Sequence, residues 1–304
     1  MSLETIRMIV LEPGSQRIFT CDGNGQNIRT LRDHVAKFPD GILIDHNTTE
    51  LYGTRMGAIN HADGSSFGFD GQIFRLSADG SQFTPLINHG ETRTPKQITA
   101  DFAADKLYWC DREGLRVMRA NLDGSGLETL VETGRLPEDE RDHSRWCVGI
   151  AVDPQARQFY WTQKGAPDAG EGRICRAGYD LPPGETPANR SDIEVLFRNL
   201  PEPIDLELDL ESNRLWWTDR GDLEGGNSVC YAEIGDDRVV AKDHHVIVRN
   251  VGEAIGLIIY HDEGYIFSTS LDGELFRARL DGSERTRLGQ FGNLTGIAKA
   301  GTEF

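Results

Sequence analysis

A single strand-turn-strand unit recurs along the chain, and its clearest copy runs from Lys106 to Ser125. This copy combines an alternating aromatic strand, KLYWCD, a turn marked by Gly114, a second strand, and a tight turn at Asp123-Gly124. Alternating strands joined by Asp-Gly turns are typical of an antiparallel β-meander. Because one such unit cannot bury its apolar face alone, the repeat predicts several copies packed against each other.

The same strands can be followed through the rest of the sequence. QFYWTQ and RLWWTD match KLYWCD closely, whereas ELYGTR and YIFSTS match it more weakly. The second strand and its turn recur as GQIFRLSADGS and GELFRARLDGS. A short apolar strand precedes each copy, and these strands are GILID, QITAD, GIAVD, DLELD and GLIIY. The pattern therefore predicts five complete units of four strands.

A sixth unit is divided between the two ends of the sequence. Ile6 to Leu31 supplies three strands but has no innermost strand before it, and Leu294 to Ala300 (LTGIAKA) matches the missing piece. Closing a ring in this way removes the open sheet edges. We therefore expect an all-β, six-bladed β-propeller with four antiparallel strands per blade, closed by a C-terminal inner strand that joins the N-terminal blade. Residues 1–304 are expected to form a single domain.

These units resemble the YWTD repeat, the class B repeat of the low-density lipoprotein receptor family. The resemblance covers nearly the whole chain, and its most specific parts are WWTD at Trp216 to Asp219 and three Asp-Gly-Ser turns. The sequence departs from the family pattern in two motif strands, which have lost the aromatic pair, and in having no adjoining cysteine-rich module. The resemblance implies the fold more strongly than any function.

Charge and cysteine content exclude several classes of protein. A net charge of -17 argues against binding to nucleic acid or to an anionic membrane, because both need a basic surface. No apolar run is long enough for a transmembrane helix. The five cysteines lack CxxC spacing, so we expect buried free thiols rather than a zinc site. We expect a cytoplasmic monomer, or a secreted one if a signal peptide has been removed.

The register of the repeat indicates where a site would lie. The last letter of the YWTD motif and the residues just before the innermost strands should face the mouth of the central channel. Two long loops, Gly57 to Asp70 and Gly165 to Gly172, fall at equivalent places in their units and suggest a binding face. The predicted catalytic residues are His61, Asp111 and Asp40, and the predicted substrate-binding residues are Arg55, Gly53, Trp146, Lys96, Gln163, Asp219 and Glu253.

The unit around Gly53 departs most from the repeat. Gly53 replaces a tryptophan, so we expect open space beside the channel, and Arg55 would offer a guanidinium to an acidic ligand. His61 follows in the next loop and suits proton transfer near neutral pH. Structural roles are the alternatives: Arg55 could pair with an acidic neighbour, and Trp146 could fill the channel mouth.

Two functions remain open at this point. The first is a small-molecule enzyme of isomerase, lyase, cyclase or hydrolase type, possessing a top-face pocket and using non-redox, metal-independent acid–base or positioning catalysis. It could serve a biosynthetic pathway. The second is a module that binds a protein or peptide on the same face. No GxSxG, P-loop or GxGxxG motif occurs in a strand-to-helix context, because the sequence has no long helical pattern to carry one. We expect no cofactor, although a ring of carboxylates could hold Ca²⁺.

Overall fold

Short antiparallel strands make up almost all of the regular structure. The computed structural model describes residues 2–60, 66–235, 237–301 and 304. Within them lie 26 strands and three 3-10 helices, the latter at Pro13–Ser15, Phe102–Ala104 and His143–Arg145. His61, one of the predicted catalytic residues, lies outside the described residues.

The strands form six four-stranded sheets, here called blades 1 to 6 in chain order. Blade 1 contains β1 (Arg7–Glu12), β2 (Arg17–Asp22) and β3 (Arg29–Arg32). Blade 2 contains β4 (Pro39–Ile44), β5 (Leu51–Arg55), β8 (Gln72–Leu76) and β9 (Phe83–Ile87), with a small hairpin of β6 (Ile59–Asn60) and β7 (Ser66–Phe67) between its second and third strands. Blade 3 contains β10 (Pro95–Asp101), β11 (Lys106–Asp111), β12 (Arg116–Asn121) and β13 (Glu128–Glu132).

The remaining three blades follow in the same pattern. Blade 4 contains β14 (Cys147–Asp153), β15 (Gln158–Gln163), β16 (Gly172–Gly178) and β17 (Glu194–Leu200). Blade 5 contains β18 (Glu202–Asp209), β19 (Arg214–Arg220), β20 (Ser228–Glu233) and β21 (His245–Arg249). Blade 6 contains β22 (Ala254–Tyr260), β23 (Tyr265–Ser270), β24 (Glu274–Arg279) and β25 (Thr286–Gln290), and β26 (Ile297–Ala300) completes blade 1.

The protein is a six-bladed β-propeller, and the predicted closure is confirmed. β26 pairs antiparallel with β1, and Arg7 lies opposite Ala300 and Val10 opposite Ile297. By contacts, the chain divides into two compact units, Met1–Pro95 with Val251–Phe304, and Lys96–Asn250. Blades 1, 2 and 6 belong to the first unit, and blades 3, 4 and 5 belong to the second. The expectation of a single domain stays a prediction.

The threonine of the YWTD motif has a clear structural role. In blades 2, 4, 5 and 6 the pairing of the innermost strand with its neighbour shifts near the start of that strand. The backbone N–H freed by the shift donates to the threonine hydroxyl, as from Gly149 to Thr162 at 2.7 Å and from Gly41 to Thr54 at 2.8 Å. A buried N–H without a partner would destabilise the blade, so threonine at this position stabilises the bulge.

In each blade, the position of the motif tryptophan faces a residue of the next strand, and at least one residue of this pair has a large side chain. In blades 4 and 5 the tryptophans Trp161 and Trp217 lie opposite the small residues Cys175 and Cys230. In blade 3 Trp109 lies opposite Met118. In blades 1, 2 and 6 a phenylalanine of the next strand is the large residue; these pairs are Val10 with Phe19, Gly53 with Phe74, and Ser268 with Phe276. The large residue that fills the core can therefore come from either strand of the pair.

The Asp-Gly-Ser turns and the cysteines match their predicted roles. In each turn the serine N–H donates to the aspartate side chain, as from Ser125 to Asp123 at 2.9 Å, and the glycine between them has a positive φ. All five cysteines are buried and free. No helix in the described ranges has both the length and the apolar character needed to cross a membrane.

Candidate functional site

Gly53 does not open a space in blade 2, and that expectation is wrong. A Cβ atom placed on Gly53 would lie 2.5 Å from Cζ of Phe74 and 3.1 Å from the carbonyl oxygen of Gly41. Phe74 in turn stacks on Phe83 with ring centroids 4.6 Å apart. The two phenylalanines occupy the volume that a tryptophan fills in other blades, so the missing side chain is replaced from the neighbouring strands.

Arg55 lies beside these rings. Its Cζ atom is 4.8 Å from the Phe83 ring centre, and its guanidinium donates a hydrogen bond to the side chain of Gln72. Burial lowers the pKa of Arg55, although Asp70 opposes this effect. Its Nε atom is buried and has no hydrogen-bond partner among the described residues. The position of Arg55 is thus set mainly by aromatic packing within the blade.

Three other predicted site residues lie at the starts of innermost strands. Asp40 is fully buried in β4, and Lys96 is 7% exposed in β10. Glu253 is exposed just before β22. These positions follow the predicted register, and the roles assigned to the three residues stay predictions.

The two motif aspartates are held by hydrogen bonds inside their own blades. Asp111 is fully buried and accepts from Nε of Arg116 at 3.0 Å. Asp219 accepts from the backbone N–H of Glu202 at 2.6 Å and from Nε1 of Trp217 at 3.2 Å. Burial raises the pKa of Asp219 to about 8, although both donated hydrogen bonds favour its ionised form. Asp219 therefore joins two strands of blade 5.

A cluster of charged and aromatic side chains surrounds Trp146 in the second unit. The imidazole of His143 lies against the indole of Trp146, with ring centroids 3.8 Å apart. Cζ of Arg112 is 4.7 Å from the indole centre, and Nζ of Lys164 is 5.8 Å from it. The indole Nε1 donates to the carbonyl oxygen of Glu140 at 3.1 Å, which fixes the ring plane. The name Trp146 cluster is used for six residues: Trp146, His143, Arg112, Lys164, Glu202 and Arg220.

Lys164 and Glu202 form a buried ion pair in this cluster. Their side chains are 5% and 4% exposed, and Nζ lies 2.8 Å from Oε2 of Glu202. Arg220 donates to the same oxygen at 2.8 Å. Burial and repulsion from Arg220 lower the pKa of Lys164 to about 8 despite the attraction of Glu202. Burial opposes ionisation of Glu202, but the charges of Arg220 and Lys164 outweigh it and lower the pKa of that carboxyl group.

His143 supplies a neutral base beside the lysine. Burial lowers its pKa, and the positive charges of Lys164 and Arg112 lower it further. Its Nδ1 atom is buried without a hydrogen-bond partner in the described part of the chain. A neutral imidazole and an amine with a pKa of about 8 therefore lie beside one indole ring, and an ionised carboxylate is paired with the amine. This arrangement can accept, donate and hold a proton.

The cluster contains one predicted site residue and several that the sequence analysis did not select. Trp146 was predicted, and Gln163 lies next to it, since its Nε2 donates to the carbonyl oxygen of Ser144 at 3.1 Å. Lys164 was not considered, Glu202 was placed only among the residues just before the innermost strands, and His143 was a weaker candidate in the preceding loop. A signal did exist: blades 3, 4 and 5 alone carry a basic residue directly after the last letter of the motif, namely Arg112, Lys164 and Arg220. Among the described residues of the second unit, no three metal-ligating side chains converge.

Comparison with known proteins agrees with the repeat pattern. No family model matches the chain. A Pyricularia oryzae protein named low-density lipoprotein receptor-related protein 1 is 41% identical over 292 residues, which cover 93% of this chain and 91% of that protein. The chain belongs to the low-density lipoprotein receptor-related family of YWTD propellers.

Another relative of this YWTD propeller is longer. A Cochliobolus heterostrophus protein named 3-hydroxyacyl-CoA dehydrogenase-like protein LAM1 is 39% identical over 274 residues, which cover 87% of this chain but 56% of that protein. The YWTD propeller thus spans little more than half the length of this relative.

Solved structures support the same fold. A propeller in a nidogen/laminin complex has a TM-score of 0.72 at 18% identity and covers 98% of this chain and 99% of its own. A gluconolactonase from Xanthomonas campestris has a TM-score of 0.59 at 16% identity and covers 88% of this chain and 84% of its own. At these identities the likeness concerns the fold alone.

Proposed function

We propose that this YWTD propeller is a small-molecule enzyme that performs non-redox acid–base chemistry at the Trp146 cluster. The observation that carries the proposal is that His143 and Lys164 both lie against the indole of Trp146, and that Lys164 is ion-paired with Glu202. Buried titratable groups whose pKa values have moved in useful directions are characteristic of catalytic sites. The cluster replaces the centre around Gly53 and Arg55 that the sequence favoured.

Each group has a role that follows from its environment. His143, whose lowered pKa keeps the imidazole neutral, is the base that removes a substrate proton. The ammonium form of Lys164 stabilises the negative charge that develops, and it can return a proton because its pKa is about 8. Glu202 holds Lys164 in place through the 2.8 Å ion pair. Trp146 offers a flat apolar surface for the substrate.

Binding of a protein or peptide is the second candidate function. The name of the Pyricularia oryzae relative and the nidogen/laminin complex favour it. The LAM1 relative and the gluconolactonase carry enzyme names, which favour a small molecule. The dehydrogenase name does not transfer directly, because 44% of that relative (100 minus 56) has no counterpart here.

The test is a turnover screen with matched variants. Purified protein is offered esters, lactones and carbonyl compounds with an acidic α-proton, and Lys164→Met and His143→Gln are compared with the exposed controls Lys242→Met and His46→Gln. We expect the wild type and both controls to convert the same compound. The two cluster variants should lose at least about 100-fold in kcat, the usual contribution of a general acid or base.

The pH profile sharpens the same experiment. The rate should rise as His143 loses its proton, at a pH below the ordinary histidine range, and should fall as Lys164 deprotonates near pH 8. In Lys164→Met the alkaline decline should disappear. If no compound is converted, and a peptide array instead yields ligands whose binding survives both cluster substitutions, the enzyme proposal is wrong and the binding function stands.

A further inference from the structure

A separate pocket lies between blades 3 and 4 of the second unit. Its volume is about 370 Å³, and its lining includes Glu132 of β13 together with Trp161, Gln163, Arg173 and Val195 of blade 4. Small-molecule sites typically have volumes of about 300–1,000 Å³ and a few polar groups set in apolar walls. The volume of this pocket lies in that range, its lining mixes polar and apolar side chains, and it includes neither Lys164 nor Trp146.

The indole N–H of Trp161 lacks an acceptor among the described residues, whereas the equivalent indole N–H in blade 5, that of Trp217, has one. Nε1 of Trp217 donates to Asp219, two residues further along the strand, at 3.2 Å. In blade 4 the residue two positions after Trp161 is Gln163, whose amide group bonds to Ser144 instead. Nε1 of Trp161 is buried and lacks a partner among the described residues. Because an unpaired buried donor destabilises a protein, an acceptor supplied by a ligand would be favourable here.

A guanidinium with spare donors lines the same pocket. Arg173 is half-buried and donates to the carbonyl oxygen of Ser144 at 3.3 Å, and it has no carboxylate partner in the described part of the chain. The other lining arginine, Arg145, is already bound to Asp142 at 2.8 Å. Arg173 is therefore the cation available to an anionic ligand, and its planar fork matches a carboxylate.

The remaining lining residues narrow the class of anion. Ile193, Val195 and the face of Trp161 supply apolar walls. Burial raises the pKa of Cys175 to about 12, so this lining thiol stays neutral and contributes no charge. The exposed carboxylate of Glu132 lies in the lining too, and it would repel a doubly charged group such as a phosphate monoester.

We propose that this pocket binds a small monocarboxylate with an apolar body. The carboxylate pairs with Arg173 and accepts from Nε1 of Trp161, and the apolar body lies against Ile193 and Val195. The proposal is independent of the Trp146 cluster, because none of the groups assigned there takes part.

The test follows the indole N–H signals by ¹⁵N–¹H NMR while phenylacetate is added to the whole chain. The Trp161 signal is identified by its loss in Trp161→Phe or, if that variant does not fold, by its displacement in Gln163→Asp. We expect a saturable shift of this signal with phenylacetate and at least about tenfold weaker binding of the neutral isostere phenylacetamide. Phenyl phosphate should also bind more weakly than phenylacetate.

Variants assign the contacts. Arg173→Gln should weaken phenylacetate binding at least about tenfold, the usual effect of losing a charge-assisted hydrogen bond. Arg287→Gln, which removes an exposed arginine of β25, should not change it, and neither should Lys164→Met. The proposal is overturned if phenylacetate gives no saturable shift up to about 10 mM, the weak limit for a specific small ligand. It is equally overturned if phenylacetamide or phenyl phosphate binds as well as phenylacetate, or if Arg173→Gln binds normally.

Discussion

Blades 2 and 4 have both lost the aspartate that ends the motif strand, and blade 2 has also lost the tryptophan. Blade 2 has lost the tryptophan, which is replaced by Gly53, and the ring of Phe74 from the paired strand fills the space. Blade 4 keeps its tryptophan, Trp161, opposite the small Cys175, and has changed the last letter of the motif to Gln163. A pocket of about 370 Å³ lies between blades 3 and 4, beside the changed last residue of the blade 4 motif.

The comparison distinguishes two ways in which a blade can depart from the repeat, by losing a large side chain or by losing a polar one. A position that faces a partner across the strand pair can be compensated by that partner, because a large side chain from either strand can fill the same space. The side chain of the last motif residue forms hydrogen bonds, and a neighbouring residue replaces these less easily than it replaces volume. Both blades show the consequence, since Arg55 Nε in blade 2 and Trp161 Nε1 in blade 4 are buried without a partner among the described residues. Function is therefore better sought at changed polar positions than at missing large ones.

The largest expected effect on stability is that of Gly53→Trp, which places the tryptophan of blade 4 at the equivalent position of blade 2. A Cβ atom alone would lie 2.5 Å from the Phe74 ring, so the indole cannot be accommodated. Overpacking of this kind destabilises by about 1–3 kcal/mol or more, and we expect the upper end or complete loss of soluble protein. The measurement is the free energy of unfolding in urea.

The double variant Gly53→Trp with Phe74→Cys provides the control. It reproduces the pair that blade 4 uses, and it should recover most of the lost stability, whereas Phe74→Cys alone should be destabilising because it leaves a cavity. Equal stabilities for the single Gly53→Trp variant and the wild type would contradict the idea that Phe74 replaces the tryptophan.

A smaller effect is expected from Asp219→Asn in blade 5, which replaces by an NH2 group one of the two oxygens that accept from Glu202 and Trp217. At pH 5 the loss of one buried hydrogen bond should lower the free energy of unfolding by about 1–3 kcal/mol. The effect should depend on pH, because the folded pKa of Asp219 is raised from 3.8 to about 8. The folded state thus binds more protons than the unfolded state in that range, so the stabilising effect of this group falls as pH rises.

The pH dependence gives a clear contrast with a surface control. The destabilisation by Asp219→Asn should shrink between pH 5 and pH 8, whereas Asp262→Asn at an exposed site should show no such trend. A destabilisation that grows toward pH 8 would mean that burial does not raise the pKa of Asp219. In that case its two hydrogen bonds dominate, and the ionised form is the stable one.

Most of the fold could be predicted from the sequence because the repeat consists of patterns that each span only a few residues. The Asp-Gly-Ser turns, the alternating strands and the match of LTGIAKA to GIAVD each depend on local preferences that recur in register. The open space at Gly53 was not predicted correctly, since packing depends on the residue across the strand pair. The exchange of Phe74 for Cys175 between equivalent positions was the visible sign of compensation.

The candidate site was predictable only in part. Trp146 and Gln163 follow from register, because they sit at fixed places in their units. His143 could not be found in this way, since it belongs to a 3-10 turn in an irregular loop that has no counterpart in the other blades. The Lys164–Glu202 pair joins two blades, and its shifted pKa values arise from burial, which spacing along the chain does not reveal.

The smallest effect is expected from Gln163→Asp, which gives blade 4 the last letter found in blade 5. The new carboxyl group can accept from Nε1 of Trp161, as Asp219 accepts from Trp217, but the bond from Gln163 to Ser144 is lost. The net gain in the free energy of unfolding should be at most about 1 kcal/mol. The informative measurement is a double-mutant cycle with Trp161→Phe, which removes the indole N–H and keeps an aromatic ring. If the new carboxyl group accepts from Nε1, the gain in the free energy of unfolding should vanish in the Trp161→Phe background. A gain of equal size in both backgrounds would show that the indole N–H of Trp161 does not lack an acceptor. Blades 4 and 5 would then not differ in the way proposed.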